Sequence, residues 1–374
     1  MIGLYIHVPF CLKKCHYCDF VTTSSGDAEK HTTFLSAFKK ECERYAKKFD
    51  NRVFDTLYVG GGTPSALSIA ETQGLFEVIH AQFKIKPGAE VTWEANPGEV
   101  DGAKAEIYRK LGINRVSLGA QSFKDKTLQA INRDHGAREI QTSFDHLRSA
   151  GIRNINLDLI LYLPGETRND LLYSLESLAA LDPEHVSIYE LSIEEGTVFG
   201  QKAKKGELSL PSEEEQLETL SVVRNFLKEK DYTHYELLNY AKPGFESAHN
   251  RLYWANEEVL GLGPGAYSYT SGRRSRFVTS HEDYLKKIAR GDWTCAEEET
   301  LTTDKKEIES FILALRLTQG AETARFAETS KKLSKNIGSL EEAGLLERIP
   351  GRIRLTPRGQ LLAETVFSQL SIPD

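Results

Sequence analysis

Hydrophobic runs rich in Val, Ile, Leu and Tyr recur through the first half of the chain, over 4–10, 53–59, 90–94, 115–120, 155–163 and 185–191. Between them lie longer stretches in which apolar residues return at helical spacing: 34–49, 72–83, 103–111, 140–150 and 170–181. Strand-like runs alternating with amphipathic helices predict βαβ units, and therefore a parallel sheet covered by helices. Six units are visible before the alternation fails near 195. The expected fold class is α/β, a partial (β/α)6 barrel of the open TIM-like kind. Its reactive loops would follow the C-terminal ends of the strands.

The second half has a different texture. A helix over 213–229 and a strand over 232–238 precede an irregular stretch rich in Gly, Tyr and Ser, from 239 to about 300. From 304 the pattern predicts helices over 306–318 and 330–343, a hairpin over 347–355 around Pro350-Gly351, and a last helix over 357–367. Helices followed by a small β-wing predict a winged-helix-like α+β accessory domain. The expected division is 1–238 for the barrel, 239–303 for a connecting region and 304–374 for the accessory domain.

Composition narrows the function. The 374 residues are 40% hydrophobic and 27% charged, an ordinary globular balance, with a formal net charge of −7. An acidic chain argues against a protein built to coat nucleic acid. The tail from 305 carries eleven basic and nine acidic residues, too even a balance to mark a DNA-binding wing. No apolar run reaches the roughly 20 residues that a membrane-spanning helix needs. The first residues, Met1-Ile2-Gly3-Leu4-Tyr5-Ile6-His7, lack a basic leader, so a cytoplasmic protein is expected.

Of five cysteines, three fall within eight residues, in Cys11-Leu12-Lys13-Lys14-Cys15-His16-Tyr17-Cys18. Cys42 and Cys295 stand alone and are read as small buried hydrophobes. A cysteine cluster without an export signal points to metal binding or catalysis rather than disulfides. Three thiolates at C-x3-C-x2-C spacing can hold three irons of a [4Fe–4S] cluster and leave the fourth iron open to another ligand. Zinc is the alternative on spacing alone, with His7 or His16 as a fourth ligand.

The loop, with an aromatic residue before its third cysteine, resembles the cluster loop of radical S-adenosylmethionine (SAM) proteins. The preceding Leu4-Tyr5-Ile6-His7-Val8-Pro9-Phe10 is similar to the branch that contains oxygen-independent coproporphyrinogen III oxidases and their haem-chaperone relatives. The resemblance covers roughly residues 1–370. It implies a [4Fe–4S] cluster on Cys11, Cys15 and Cys18, with SAM chelating the open iron. It also implies SAM contacts from Gly61, Gly62 and Thr63 in the Gly-Gly-Gly-Thr-Pro-Ser loop, from Glu94, Gln121 and Asp158 at later strand ends, from Arg133, and by position from Tyr5 and Tyr17. Each has a plain alternative: the glycines as a turn, Glu94 as a solvated strand end. Asp158 among apolar residues would be costly without a partner.

Two features separate carrier from oxidase. The oxidases carry an extension before the cluster loop and another cysteine two residues after the third. Here ten residues precede Cys11, and Asp19-Phe20 follows Cys18. The hexapeptide His249-Asn250-Arg251-Leu252-Tyr253-Trp254 matches a motif of the haem-chaperone branch. A histidine can ligate haem iron, an arginine can pair with a propionate, and Tyr and Trp offer flat apolar surface. His249, Arg251, Tyr253 and Trp254 are therefore the haem candidates. The alternative is that His249 packs a loop and the aromatics belong to a core. The resemblance implies a haem carrier that receives electrons from a donor and delivers haem to respiratory acceptor proteins, with room for peripheral contact with membrane proteins. The enzymatic alternative is SAM-dependent oxidative decarboxylation of coproporphyrinogen III. The following Gly261–Ala266 run is read as a tight turn near the reactive face, not a phosphate loop.

Overall fold

The computed structural model describes residues 1–26 and 28–371. They form two compact units, one of 1–210 with 258–299 and the other of 211–257 with 300–374. The cuts fall after 210, 257 and 299, beside an expected division at 238 and 303. The strand at 258–262 pairs with the first strand of the barrel, and the helix at 213–229 packs with the tail.

The first unit is built on six consecutive parallel strands: β1 (Ile2–Val8), β2 (Val53–Gly61), β3 (Lys84–Ala95), β4 (Arg115–Gln121), β5 (Asn154–Leu161) and β6 (His185–Glu190). Five helices alternate with them: α1 (Ala28–Phe49), α2 (Ile69–Gln82), α3 (Gly102–Lys110), α4 (Ala137–Ser149) and α5 (Arg168–Leu181). Alternating side chains of the strands fill the core, with Leu4, Leu57, Trp93, Val116 and Leu157 fully enclosed. Helix starts are set by side-chain caps. Ser68 and Glu71 close a capping box, so α2 begins at Ile69 rather than at 72; Thr167 and Asp170 do the same for α5.

The stretch expected to be irregular supplies a seventh parallel strand. β7 (Glu258–Leu262) lies beside β1 in register from Ile2 to Ile6, on the edge opposite β6. β8 (Tyr267–Thr270) and β9 (Arg273–Arg276) continue the sheet as antiparallel strands. Only a three-residue strand (Asn239–Ala241) and the seven-residue helix Ala248–Trp254 lead into β7, both too short to show a period in the sequence. The Gly261–Ala266 run ends β7 in a close-packed turn: a Cβ on Gly263, whose φ is +96°, would meet the His7 carbonyl oxygen at 2.4 Å.

The second unit has the expected winged-helix-like tail. Helices Thr303–Ala314, Ala327–Lys332 and Ser334–Glu342 pack with a three-stranded antiparallel sheet whose wing is Leu346–Ile349 against Arg352–Leu355. Ile308, Phe311, Ile337, Leu340, Ile353 and Val366 form its core. Cys42 is buried as expected, whereas Cys295 is only half-buried. Among the described residues no helix is long and apolar enough to cross a membrane.

Candidate functional site

The C-terminal ends of β1 to β6 surround a cavity of about 350 Å³, and the cysteine loop forms part of its wall. Cys11, Cys15 and Cys18 all line it, together with Tyr17, Gly61, Gly62, Thr63, Glu94, Gln121, Arg133 and Asp158. Every residue expected at the cluster and SAM sites is thus gathered in one place, except Tyr5. Tyr5 sits one layer below: its hydroxyl bonds His7 Nδ1 at 3.2 Å, and the His7 ring lies under Gly61.

Glycines let the second loop close on its neighbours. A Cβ on Gly60 would stand 2.6 Å from the Glu94 carboxyl carbon, and one on Gly62 would stand 2.7 Å from the Phe10 carbonyl oxygen. Gly62 N–H donates to Val8 O at 2.8 Å and Thr63 N–H to Phe10 O at 2.6 Å, tying this loop to the segment that leads into Cys11. These bonds spend the Gly62 and Thr63 N–H groups and fix the loop in the cavity wall.

The thiols are held from the barrel side. Thr63 Oγ1 lies 3.4 Å from Cys11 Sγ, and Arg133 donates from one guanidinium nitrogen to Cys15 Sγ at 3.4 Å and from the other to Gly119 O at 2.6 Å. Burial pushes the Cys11 thiol up to about 11 and the Cys18 thiol upward as well. Thiols in this state need a bound cation to become thiolates, as a metal ligand does. Neither His7 nor His16, the expected fourth ligands of the zinc alternative, is among the residues lining the cavity. His7 Nε2 faces Val21 O at 2.9 Å with Nδ1 on Tyr5, and His16 Nδ1 faces Ala130 O at 3.2 Å.

The acids are partnered rather than solvated. Glu94 is held by the Tyr58 hydroxyl at 2.6 Å and the Gly61 N–H at 3.0 Å, and burial raises it to about 7 against the lowering effect of these bonds. Asp158 accepts from Asn156 Nδ2 at 2.6 Å and from Ser117 at 3.3 Å, and burial raises its carboxyl too. Gln121 takes a positive φ of 67° at the end of β4, and its Oε1 is buried without a hydrogen-bond partner. A bound molecule offering an N–H or O–H there would satisfy it. Two buried acids, an orphaned amide oxygen and three thiols thus line one cavity, a set that fits a cationic amino group and a metal cluster.

Sequence reasoning missed Tyr58, Asn96 and Glu99. Asn96 follows Glu94 at i+2, the spacing that keeps two side chains on one face of an extended strand, and this was the available signal. Asn96 Nδ2 donates to Thr63 Oγ1 at 3.3 Å and to Glu99 Oε1 at 3.2 Å.

The hexapeptide belongs to the second unit, on the short helix Ala248–Trp254, capped by Ser247. His249 is only 1% exposed and its Nε2 meets the Tyr253 hydroxyl at 3.3 Å. Trp254 packs under the Arg316 guanidinium, 4.4 Å from the ring centre. Tyr253, at 37%, and Arg251 face outward. Two of the four haem candidates are therefore packing residues and two are accessible.

The fold and the cavity define a radical SAM domain with a C-terminal accessory unit, and comparison with known proteins agrees. Residues 5–178 match the radical SAM superfamily and 305–362 the HemN C-terminal domain. The chain is 35% identical to the heme chaperone HemW of Bacillus subtilis (strain 168) over 98% of each chain. It is 31% identical to that of Escherichia coli (strain K12), over 87% of this chain and 85% of the relative. The chain belongs to the HemW family. Its fold is also that of E. coli coproporphyrinogen III oxidase (HemN), with a TM-score of 0.87 over 99% of this chain and 90% of that one, at 23% identity.

Proposed function

We propose that this protein is a haem carrier on a radical SAM scaffold, which binds a [4Fe–4S] cluster, SAM and haem and passes haem to respiratory acceptor proteins. The observation that carries the reading is the likeness, over nearly the whole chain, to relatives named as haem chaperones.

Cys11, Cys15 and Cys18 would hold the cluster, which supplies an open iron and one-electron reducing power when bound. Glu94 and the Gly61–Thr63 backbone would receive the SAM amino group, while Gln121, Asp158, Arg133 and Tyr17 would line the rest of the ligand. Tyr5 would act through His7 by supporting the glycine loop. In the second unit Arg251 and Tyr253 would offer haem a cation for a propionate and an aromatic face, on a helix held by His249 and Trp254. An electron donor would reduce the cluster.

Anaerobic reconstitution tests the cofactor assignment. The wild-type chain should take up close to four irons and four sulfides and bind SAM. Replacing all three cysteines with serine should abolish both iron and sulfide. Equal iron and sulfide in that variant would remove the cluster from these residues. The enzymatic reading is favoured by the HemN fold alone, and porphyrinogen turnover decides it.

A further inference from the structure

Asn96, Ser65 and Glu99 form a closed ring of hydrogen bonds, and Asn96 extends it to Thr63 beside the cysteine loop. The Asn96 N–H donates to Ser65 Oγ at 3.0 Å, and the Ser65 hydroxyl donates to Glu99 Oε2 at 2.6 Å. Asn96 Nδ2 spends one proton on Glu99 Oε1 at 3.2 Å and the other on Thr63 Oγ1 at 3.3 Å. The carboxylate fixes which way the amide faces, since Glu99 already accepts from Ser65 and needs a second donor.

A ligating cysteine sulfur carries no proton, so its bond with Thr63 runs from the hydroxyl, and Asn96 sets where that hydrogen points. A hydroxyl has one proton, and Thr63 Oγ1 already accepts from Asn96. Its own hydrogen is then free to point along the 3.4 Å line to Cys11 Sγ. Thr63 is 6% exposed, so water does not compete for that hydrogen. Backbone bonds from Gly62 and Thr63 to Val8 and Phe10 hold the hydroxyl and the thiol in register.

We propose that Asn96 is a positioning residue for the cluster ligand Cys11: it aligns the Thr63 hydroxyl as a donor to the cysteine sulfur and thereby raises the cluster's reduction potential. The inference rests on the cluster assignment made above. A hydrogen bond to a ligating sulfur withdraws electron density and favours the reduced cluster, and outer partners that orient ligands tune a metal centre in this way. The Thr63 side chain then serves the cluster, while its backbone stays with Gly61 and Gly62 in the loop assigned to SAM.

The test is a potentiometric titration of the anaerobically reconstituted full chain, followed by the EPR signal of the reduced cluster. Iron and sulfide are measured first for each variant. Asn96→Ala and Thr63→Val should retain near-wild-type iron, and both should move the midpoint to more negative potential. Because Asn96 acts through Thr63, the double variant should match Thr63→Val alone. Asn96→Asp is isosteric and accepts where the amide donates, so it turns the Thr63 hydrogen away from Cys11 and should shift the midpoint in the same direction. It serves as the second variant if Asn96→Ala does not fold. An unchanged midpoint in loaded Asn96 variants, or additive shifts in the double variant, would overturn the proposal. A wild-type chain that takes up no iron would instead remove the cluster assignment itself.

Discussion

Tyr58 donates its hydroxyl hydrogen to Glu94 across 2.6 Å, from the middle of one strand to the end of the next. The pair keeps a buried carboxyl usable: burial lifts Glu94 to about 7, and the Tyr58 and Gly61 bonds hold it from going higher. A cationic amino group binds the ionised form. For a carboxyl at about 7, the ionised fraction rises about fivefold between pH 6 and 7. SAM affinity, measured by equilibrium dialysis of reconstituted protein, should rise with pH over this range. Glu94→Gln should flatten that limb and weaken binding about tenfold or more at pH 7, the scale of a charge-assisted bond. Tyr58→Phe should move the limb to higher pH.

Glu41 is a further buried acid, away from the cavity. Its Oε2 accepts from Tyr284 at 2.7 Å and from Gly263 N–H at 2.9 Å, and burial raises it to about 7. A carboxyl whose native value lies above its unfolded one stabilises the fold most below the unfolded value, and this contribution fades as pH rises through the native value. The loss amounts to roughly 3 kcal/mol over that window. Glu41→Gln keeps an oxygen for both donors without the charge. Urea midpoints at pH 5, 6, 7 and 8 should favour the variant increasingly as pH rises. A constant difference would contradict the assignment.

The glycine loop makes a sharper contrast. A Cβ on Gly62 would strike the Phe10 carbonyl oxygen and the Pro9 and Val8 backbone, which side-chain motion cannot relieve. Gly74, within α2, has nothing within 4 Å of a built Cβ. Gly62→Ala should lose most of its iron on reconstitution. Gly74→Ala should load fully and gain about 0.5–1 kcal/mol in urea unfolding.

In the hexapeptide, accessibility splits the residues. Trp254→Ala removes the face under Arg316 and should cost on the order of 2 kcal/mol of stability, and His249→Ala about 1 kcal/mol. Arg251→Ala should leave the unfolding free energy within about 0.5 kcal/mol of wild type, whereas Tyr253→Ala, which strips His249 Nε2 of a partner, should cost about 1 kcal/mol; both should weaken haem binding severalfold. If only His249→Ala abolished haem binding, with unchanged stability, the buried imidazole would be the iron ligand after all.

Much of this molecule was legible from residue order. Six strands and five helices appear close to where periodicity placed them, because each βα unit is local in sequence. β7 was not legible: it reaches β1 from more than 240 residues away, and pairing at that range leaves no periodic trace. At the site, Cys11 could be read from the cysteine spacing, and Glu94 and Asp158 from the likeness of the surrounding motifs to a known family. Tyr58, Asn96 and Glu99 act through hydrogen bonds between strands, which only the folded register reveals. Burial of His249 depends likewise on what packs over a seven-residue helix.

The central claim is that this chain carries haem and does not convert a porphyrinogen. The most direct measurement titrates haem into anaerobically reconstituted protein by difference absorption, with coproporphyrinogen III turnover assayed in parallel with SAM and dithionite. The account predicts stoichiometric haem binding and no turnover. Protoporphyrinogen formation without specific haem binding would contradict it.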